Sequence, residues 1–164
     1  MRRIFQWTAL MLPIIAVPVI AVPAPAQVPG RNLASVAASA PKSIARGGHG
    51  TVTLVVSITP TYHINSHKPA DPSLIPTAVI PKATPGVVYG VAHFPPAKSV
   101  QVTYSKIPLL VYMGKALITL PFAVTKSAHP GSVRIGGTLD YQACDSQSCY
   151  PPSKAPFSVS VVVK

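Results

Sequence analysis

Acidic side chains are almost missing from this chain. Among 164 residues only Asp71, Asp140 and Asp145 carry a side-chain carboxyl, against 14 Lys and Arg, for a formal net charge of +11. Three scattered acids leave little material for paired-carboxylate hydrolysis. Aromatics are sparse at 7%, and the bases form no dense block. A nucleic-acid surface would need clustered bases interleaved with aromatics, so no nucleic-acid partner is expected. The surplus of base fits solubility and attraction to acidic partners or an anionic membrane surface. No G-x-S-x-G elbow and no phosphate-binding loop occurs, and no cofactor is expected. Long apolar runs are absent after the first residues, so no later stretch can span a bilayer as a helix. Proline, by contrast, is abundant, with 20 residues, which argues against long helices.

The N-terminus sets the compartment. Arg2 and Arg3 precede an apolar stretch from Ile4 to Val22, and Ala24-Pro25-Ala26 supplies a small-x-small cleavage pattern before Gln27. This reads as a secretory signal peptide over residues 1–26, with a retained membrane anchor as the alternative disfavoured by Pro13 and Pro18. Neither cysteine follows the apolar run directly, so no lipid anchor is expected. The mature chain is expected to be soluble in an oxidising compartment such as a bacterial periplasm, where disulfides persist. Its remaining length suits one domain with a core of its own.

Residues 27–49 are rich in Ala, Ser, Gly and Pro and read as a flexible lead, with Leu33, Val36 and Ile44 able to pack on the edge of a domain over 50–164. From Gly50 onward β signals dominate. Expected strands are Thr51–Ile58, Thr77–Ile80, Val87–Ala92, Val100–Tyr104, Leu109–Tyr112, Ala116–Thr125, Ser132–Tyr141 and Phe157–Val163, several alternating with the period of two of half-buried strands. Gly136-Gly137 marks a bulge or a close approach of another chain segment. Turn signals such as Thr84-Pro85-Gly86 and His129-Pro130-Gly131 separate the strands. The expectation is an all-β, immunoglobulin-like antiparallel sandwich.

Cysteine is the scarcest informative residue. Only Cys144 and Cys149 occur, in the run Tyr141-Gln142-Ala143-Cys144-Asp145-Ser146-Gln147-Ser148-Cys149-Tyr150-Pro151-Pro152. They fall on the hairpin between the last two expected strands. A bridge around so small a ring stabilises by only about 2 kcal/mol in the chain-entropy model, roughly half the value for a long loop. Such a pair suits a bond that opens and closes, since exchange needs an accessible sulfur and a second thiol to resolve the mixed disulfide. A fixed structural cystine is the competing reading on spacing alone. No Lys, Arg or His lies between the two, and Asp145 disfavours a thiolate, so strong activation within the free domain is not expected. Tyr141 and Tyr150 flank the pair, as shields of the cystine or as plain packing.

The cysteine run resembles the redox loop of the N-terminal periplasmic domain of the thiol:disulfide interchange protein DsbD. Two further segments support the likeness: Tyr62-His63-Ile64-Asn65-Ser66-His67-Lys68-Pro69 with Leu74-Ile75-Pro76-Thr77, and Tyr112-Met113-Gly114-Lys115 with Ile118-Thr119-Leu120-Pro121. The resemblance spans about Gly50 to the C-terminus. It implies an immunoglobulin-like domain acting as a thiol–disulfide oxidoreductase, or protein-disulfide reductase. Such a domain takes electrons from a membrane electron transporter of DsbD type and passes them to periplasmic thioredoxin-fold proteins, including cytochrome c maturation factors. By position Cys149 corresponds to the cysteine that meets partners and Cys144 to the resolving one. A cap loop over the cystine would correspond to Val111, Tyr112, Met113 and Gly114. The segment Leu109–Met113 lacks the acids associated with that cap, so its opening would be tuned differently. The sequence ends at Lys164 without a membrane domain or a thioredoxin-like domain, so the expectation is a freestanding carrier.

The competing class is a non-enzymatic secreted immunoglobulin-like module, binding a partner or carrying copper, with a structural cystine. His63 and His67 could join Met113 or Cys144 in a soft metal site, but prolines bracket them, and loop histidines with structural hydrogen bonds are the preferred reading; no metal site is expected. Tyr62, Tyr89, Tyr104 and Tyr112 are read as core or as a partner-facing rim.

Overall fold

A computed structural model describes residues 32–164, so the expected signal peptide and the first residues of the expected lead lie outside the described residues. Twelve strands follow in order: β1 (Ala34–Ser39), β2 (Ser43–Ile44), β3 (His49–Ile58), β4 (His63–Asn65), β5 (Ala78–Pro81), β6 (Val87–Tyr89), β7 (Lys98–Val100), β8 (Leu109–Tyr112), β9 (Lys115–Val124), β10 (Gly131–Tyr141), β11 (Ala143–Cys144) and β12 (Ser153–Val163). No helix occurs among the described residues. The strands form three four-stranded sheets, ordered β1-β3-β9-β6, β2-β12-β10-β5 and β11-β4-β8-β7. Every pairing is antiparallel except that of β2 with β12.

The first two sheets make a sandwich because their strands keep strict alternation. On β3, Val52, Leu54, Val56 and Ile58 are buried; on β9, Ala116, Ile118, Leu120, Phe122 and Val124 are buried. Their register sets Val52 opposite Leu120, Leu54 opposite Ile118 and Val56 opposite Ala116. A slip of one residue would turn all of these outward, so the buried face itself fixes the register. Ile135, Leu139 and Tyr141 of β10 and Ala155, Phe157, Val161 and Val163 of β12 join the same core. Face-to-face packing of two alternating sheets is the sandwich arrangement.

The Gly136-Gly137 pair is a close approach. The β10–β12 register runs through it without interruption, and β5 pairs there, with Gly137 opposite Pro81. A Cβ at Gly137 would collide with the Ile80 carbonyl.

The expected flexible lead is corrected over its described part. β1 pairs with β3 along its whole length, from Ala34 opposite Ile58 to Ser39 opposite Thr53. Ala34, Val36 and Ala38 face the core in alternation, a period that small Ala and Ser side chains make faint in the sequence. The expected strand Val100–Tyr104 is also corrected: β7 ends at Val100, and residues 101–108 form a loop. The His63 segment, expected as a loop, is β4, an inner strand of the third sheet.

Candidate redox site

β10 and β12 pair over eleven residues, from Gly131 opposite Val163 to Tyr141 opposite Ser153. The segment joining them carries the cysteines. Cys144 ends β11, which pairs with β4 so that Cys144 faces His63 and Ala143 faces Ile64. The chain then turns and returns through Cys149, which bridges back to Cys144. The two are joined as a disulfide, with Cα atoms 4.0 Å apart.

Asp145 builds the turn. Its Oδ1 accepts from the backbone N–H groups of Gln147 and Ser148, both at 2.8 Å, and its Oδ2 accepts from the Tyr150 hydroxyl at 2.7 Å. The side chain thus bonds its own backbone two and three residues on, a habit of Asp in turns. The Gln147 N–H, the Tyr150 hydroxyl and the Ser148 N–H hold this carboxyl below the usual range. The same bond from the other side, reinforced by Tyr62, pushes the Tyr150 phenol up to about 12. Tyr150 also packs against Tyr62, with ring centroids 5.8 Å apart. Tyr141 plays a different part. It is buried, and Ala34 N–H donates to its hydroxyl at 3.2 Å, fastening β1 to β10.

The two sulfurs sit in unequal surroundings. Cys144 is fully buried, at 0% exposure, whereas Cys149 is half-buried at the edge of the turn. Gln142 braces the hairpin from below, accepting from Asn65 Nδ2 at 3.1 Å and donating to the Tyr150 carbonyl at 3.2 Å. The four buried polar residues of the described chain, His63, Asn65, Ser66 and Thr77, all lie in β4 or bond to it or to its neighbour: Thr77 Oγ1 donates to the Asn65 carbonyl, and Thr77 N–H donates to that of Ser66. Asn65 Oδ1 has no partner among the described residues.

The loop 101–108 lies against the cysteine turn. Thr103 Oγ1 donates to the Ser146 carbonyl at 2.8 Å. Tyr104 Oη lies 3.6 Å from Cys149 Sγ, 3.4 Å from His63 Nε2 and 3.5 Å from the Asp145 carbonyl. Burial keeps the His63 imidazole below its ordinary range, opposed by the Asp145 charge. The segment expected as the cap sits elsewhere. Val111 and Tyr112 are buried on β8, and β4 stands between β8 and β11. Val111 shares a small apolar cluster with Val102 and Leu109, against which Met113 packs; Gly114 is exposed at φ +66°, the left-handed turn before β9. Val102 belongs to the loop over the cystine, so Val111 and Met113 help seat that loop from beneath.

His63 and His67 engage different partners. His67 Nδ1 lies 2.6 Å from the Tyr112 hydroxyl, and its ring stacks on Phe94 at 4.5 Å. From the sequence, Tyr104 stayed undecided between core and rim, and His63 was linked to Cys144 only through a disfavoured metal site, not to Cys149 or Tyr104. The signal available was the run Gln101–Ser105, whose polar ends do not suit a strand, but nothing in it points toward Cys149.

The described residues thus form an all-β sandwich with a disulfide on the hairpin between its last long strands. The chain belongs to the family described as thiol:disulfide interchange protein DsbD, N-terminal, whose model matches residues 31–160. The N-terminal periplasmic domain of ScsB from Proteus mirabilis is similar in fold, with a TM-score of 0.51 at 16% identity; the match covers 82% of this chain and 48% of that one, so this chain spans about half of that structure. The Neisseria meningitidis DsbD N-terminal domain in the reduced form matches with a TM-score of 0.44 at 18% identity, over 76% of this chain and 85% of that one. No curated protein shows a significant match. No helix of the described residues is long and apolar enough to cross a membrane.

Proposed function

We propose that this domain carries reducing equivalents in the periplasm, exported by the leader at 1–26, between a membrane electron transporter of DsbD type and thioredoxin-fold proteins, cytochrome c maturation factors among them. The contrast between a half-buried Cys149 and a fully buried Cys144 carries the reading. In the loading direction a donor thiolate attacks Cys149 Sγ. The Cys144–Cys149 bond breaks, Cys144 leaves as a thiolate and takes a proton, and a mixed disulfide joins Cys149 to the donor. The donor's second thiolate then attacks its own sulfur in that bond and expels Cys149. Two electrons have entered the domain, and the donor has become a disulfide. Delivery to an acceptor runs the same steps backward, with Cys149 attacking and Cys144 resolving. The cover over the cystine is the loop 101–108, seated on Val111 and Met113, and Tyr150 holds the turn through Asp145.

A Cys144→Ala variant should accumulate a mixed disulfide, sensitive to dithiothreitol, with an oxidised thioredoxin-fold protein. Trapping by Cys149→Ala alone would reverse the roles. Trapping by neither would defeat the exchange reading in favour of a fixed cystine in a binding module.

A further inference from the structure

We propose that the Tyr104 hydroxyl relays a proton between Cys149 Sγ and His63 during exchange, an inference that rests on the function proposed above. Three observations carry it. Tyr104 Oη lies within 3.6 Å of Cys149 Sγ and within 3.4 Å of His63 Nε2, so one hydroxyl touches both. His63 is buried at 3% exposure and sits directly across from Cys144 in the β4–β11 pair, where side chains of facing residues share one side of the sheet. The Thr103–Ser146 hydrogen bond pins the loop that holds Tyr104 over the turn.

A disulfide sulfur carries no proton, so in the oxidised protein the Tyr104 O–H is the donor, with His63 Nε2, the Asp145 carbonyl and the sulfur gathered around it. The nearest carboxylate cannot readily take the role of base. Asp145 Oδ1 already accepts two backbone N–H groups and Oδ2 accepts the Tyr150 hydroxyl. The Asp145 carbonyl can accept a hydrogen bond from Tyr104 but is no base, which leaves His63 as the group able to take the proton. The groups facing His63 are Asp145 and Tyr104 from the two loops and Cys144 from β11; Tyr112 of β8 pairs with Ile64, on the other face of β4. Desolvation holds the imidazole below its ordinary range, against the pull of Asp145, so it is neutral and able to accept a proton near neutral pH. Desolvation and Asp145 push the Tyr104 phenol up, so it stays protonated and acts as both donor and acceptor.

The step balances as follows. In the dithiol, Cys149 S–H gives its proton to Tyr104 Oη while Tyr104 gives its own to His63 Nε2. The thiolate attacks the partner disulfide, whose S–S bond breaks as the mixed disulfide forms, and one partner sulfur leaves as a thiolate. Cys144, deprotonated in turn, attacks Cys149 Sγ and releases the second partner sulfur. Two electrons pass to the partner, and its two thiolates take up the two protons that the domain has shed, one of them by way of His63 and water. Tyr104 touches the reacting sulfur and is catalytic; His63 acts through it as a positioning and proton-holding residue.

The test uses the chain carrying Cys144→Ala, so that Cys149 alone reports. The rate of adduct formation with oxidised glutathione is followed by mass from about pH 5 to about pH 10, spanning the ordinary His and Cys ranges. The parent should show two rises, one below the ordinary His range and one at the thiol. Adding Tyr104→Phe, which keeps the ring, or His63→Gln, which keeps a polar group without a titration near neutrality, should each erase the lower rise. Each should slow the reaction near neutral pH by about tenfold or more, as expected for loss of a positioned base. Rates should converge at high pH, where the thiolate forms unaided. A parent profile with a single rise, or a lower rise that survives both substitutions, overturns the relay while leaving exchange intact. A parent that forms no adduct at any pH defeats the exchange reading and the relay with it.

Discussion

In the two-sheet sandwich, β3 and β9 bury nothing but apolar side chains, Val52 to Ile58 facing Ala116 to Val124 in alternation. In the third sheet, β4 buries His63 and Asn65 on either side of Ile64, and Ser66 follows directly. The strands differ as much as their contents: β3 and β9 have ten residues each, while β4 has three and β11 two. The sandwich is held by area removed from water and by a register that one slip would ruin. The third sheet adds directed bonds to its apolar contacts: Asn65 to Gln142, Thr77 to Asn65, Tyr112 to His67. Polar groups beside a sulfur can move protons and orient loops, which aliphatic packing cannot do. The departure from simple patterning falls at the candidate site, where such conflicts are expected.

The contrast is broken most severely from the sandwich side. Leu54 is fully buried between facing sheets, and Leu54→Ala should cost about 2–5 kcal/mol. Urea unfolding should show the midpoint falling, while Cys149 in the molecules that stay folded exchanges at its usual rate. A loss of exchange in step with folding would mean that the two regions are one energetic unit.

Reducing the cystine should have a smaller effect. Opening a ring this short removes about 2 kcal/mol in the chain-entropy model, so the dithiol should stay folded. The unfolding midpoints of the oxidised and reduced protein measure the gap. Amide exchange should quicken in β11 and the 145–148 turn and stay slow in β3 and β9. Acceleration spread through the sandwich would show that the cystine is a staple after all.

Asp145→Asn should have the smallest effect, and one that depends on pH. The folded carboxyl titrates below its ordinary value, so its contribution is present above the unfolded carboxylate range, near pH 4, and fades as pH falls through the lower folded value. The variant should therefore loosen the Gln147 and Ser148 amides at neutral pH and match the parent in strong acid. Amide exchange at those two positions, followed across pH, checks the sign. A gap that widens on acidification would contradict the hydrogen-bond account of the turn.

Much of this molecule was legible in the chain, though unevenly. Leu109–Tyr112 is a strand with the expected bounds, and β3, β9 and β10 start or end within two residues of their expected limits. In β3 and β9 every second residue through the middle of the strand is a buried apolar side chain. β12 begins four residues earlier than expected, through Lys154 and Pro156, because pairing with β10 continues past the apolar repeat. β1 stayed hidden because Ala and Ser differ too little in hydropathy to print a period. β4 stayed hidden because its burial serves hydrogen bonding, and prolines on both sides resemble loop punctuation. Tyr104 looked like strand because Val102 and Tyr104 alternate, yet the loop leaves β7 at Val100 and crosses to the cysteine turn.

The order of residues alone determined the two-sheet core, the hairpin between the last long strands, and the bond that five positions of separation allow. Those are local matters, set by a period of two and by the reach of a short ring. Which sulfur faces outward, which loop lies over it and which imidazole stands behind that loop were decided only in three dimensions. His63, Tyr104 and Cys149 are some forty residues apart at each step along the chain, and no local pattern carries the pairing of β11 with β4 that brings them together.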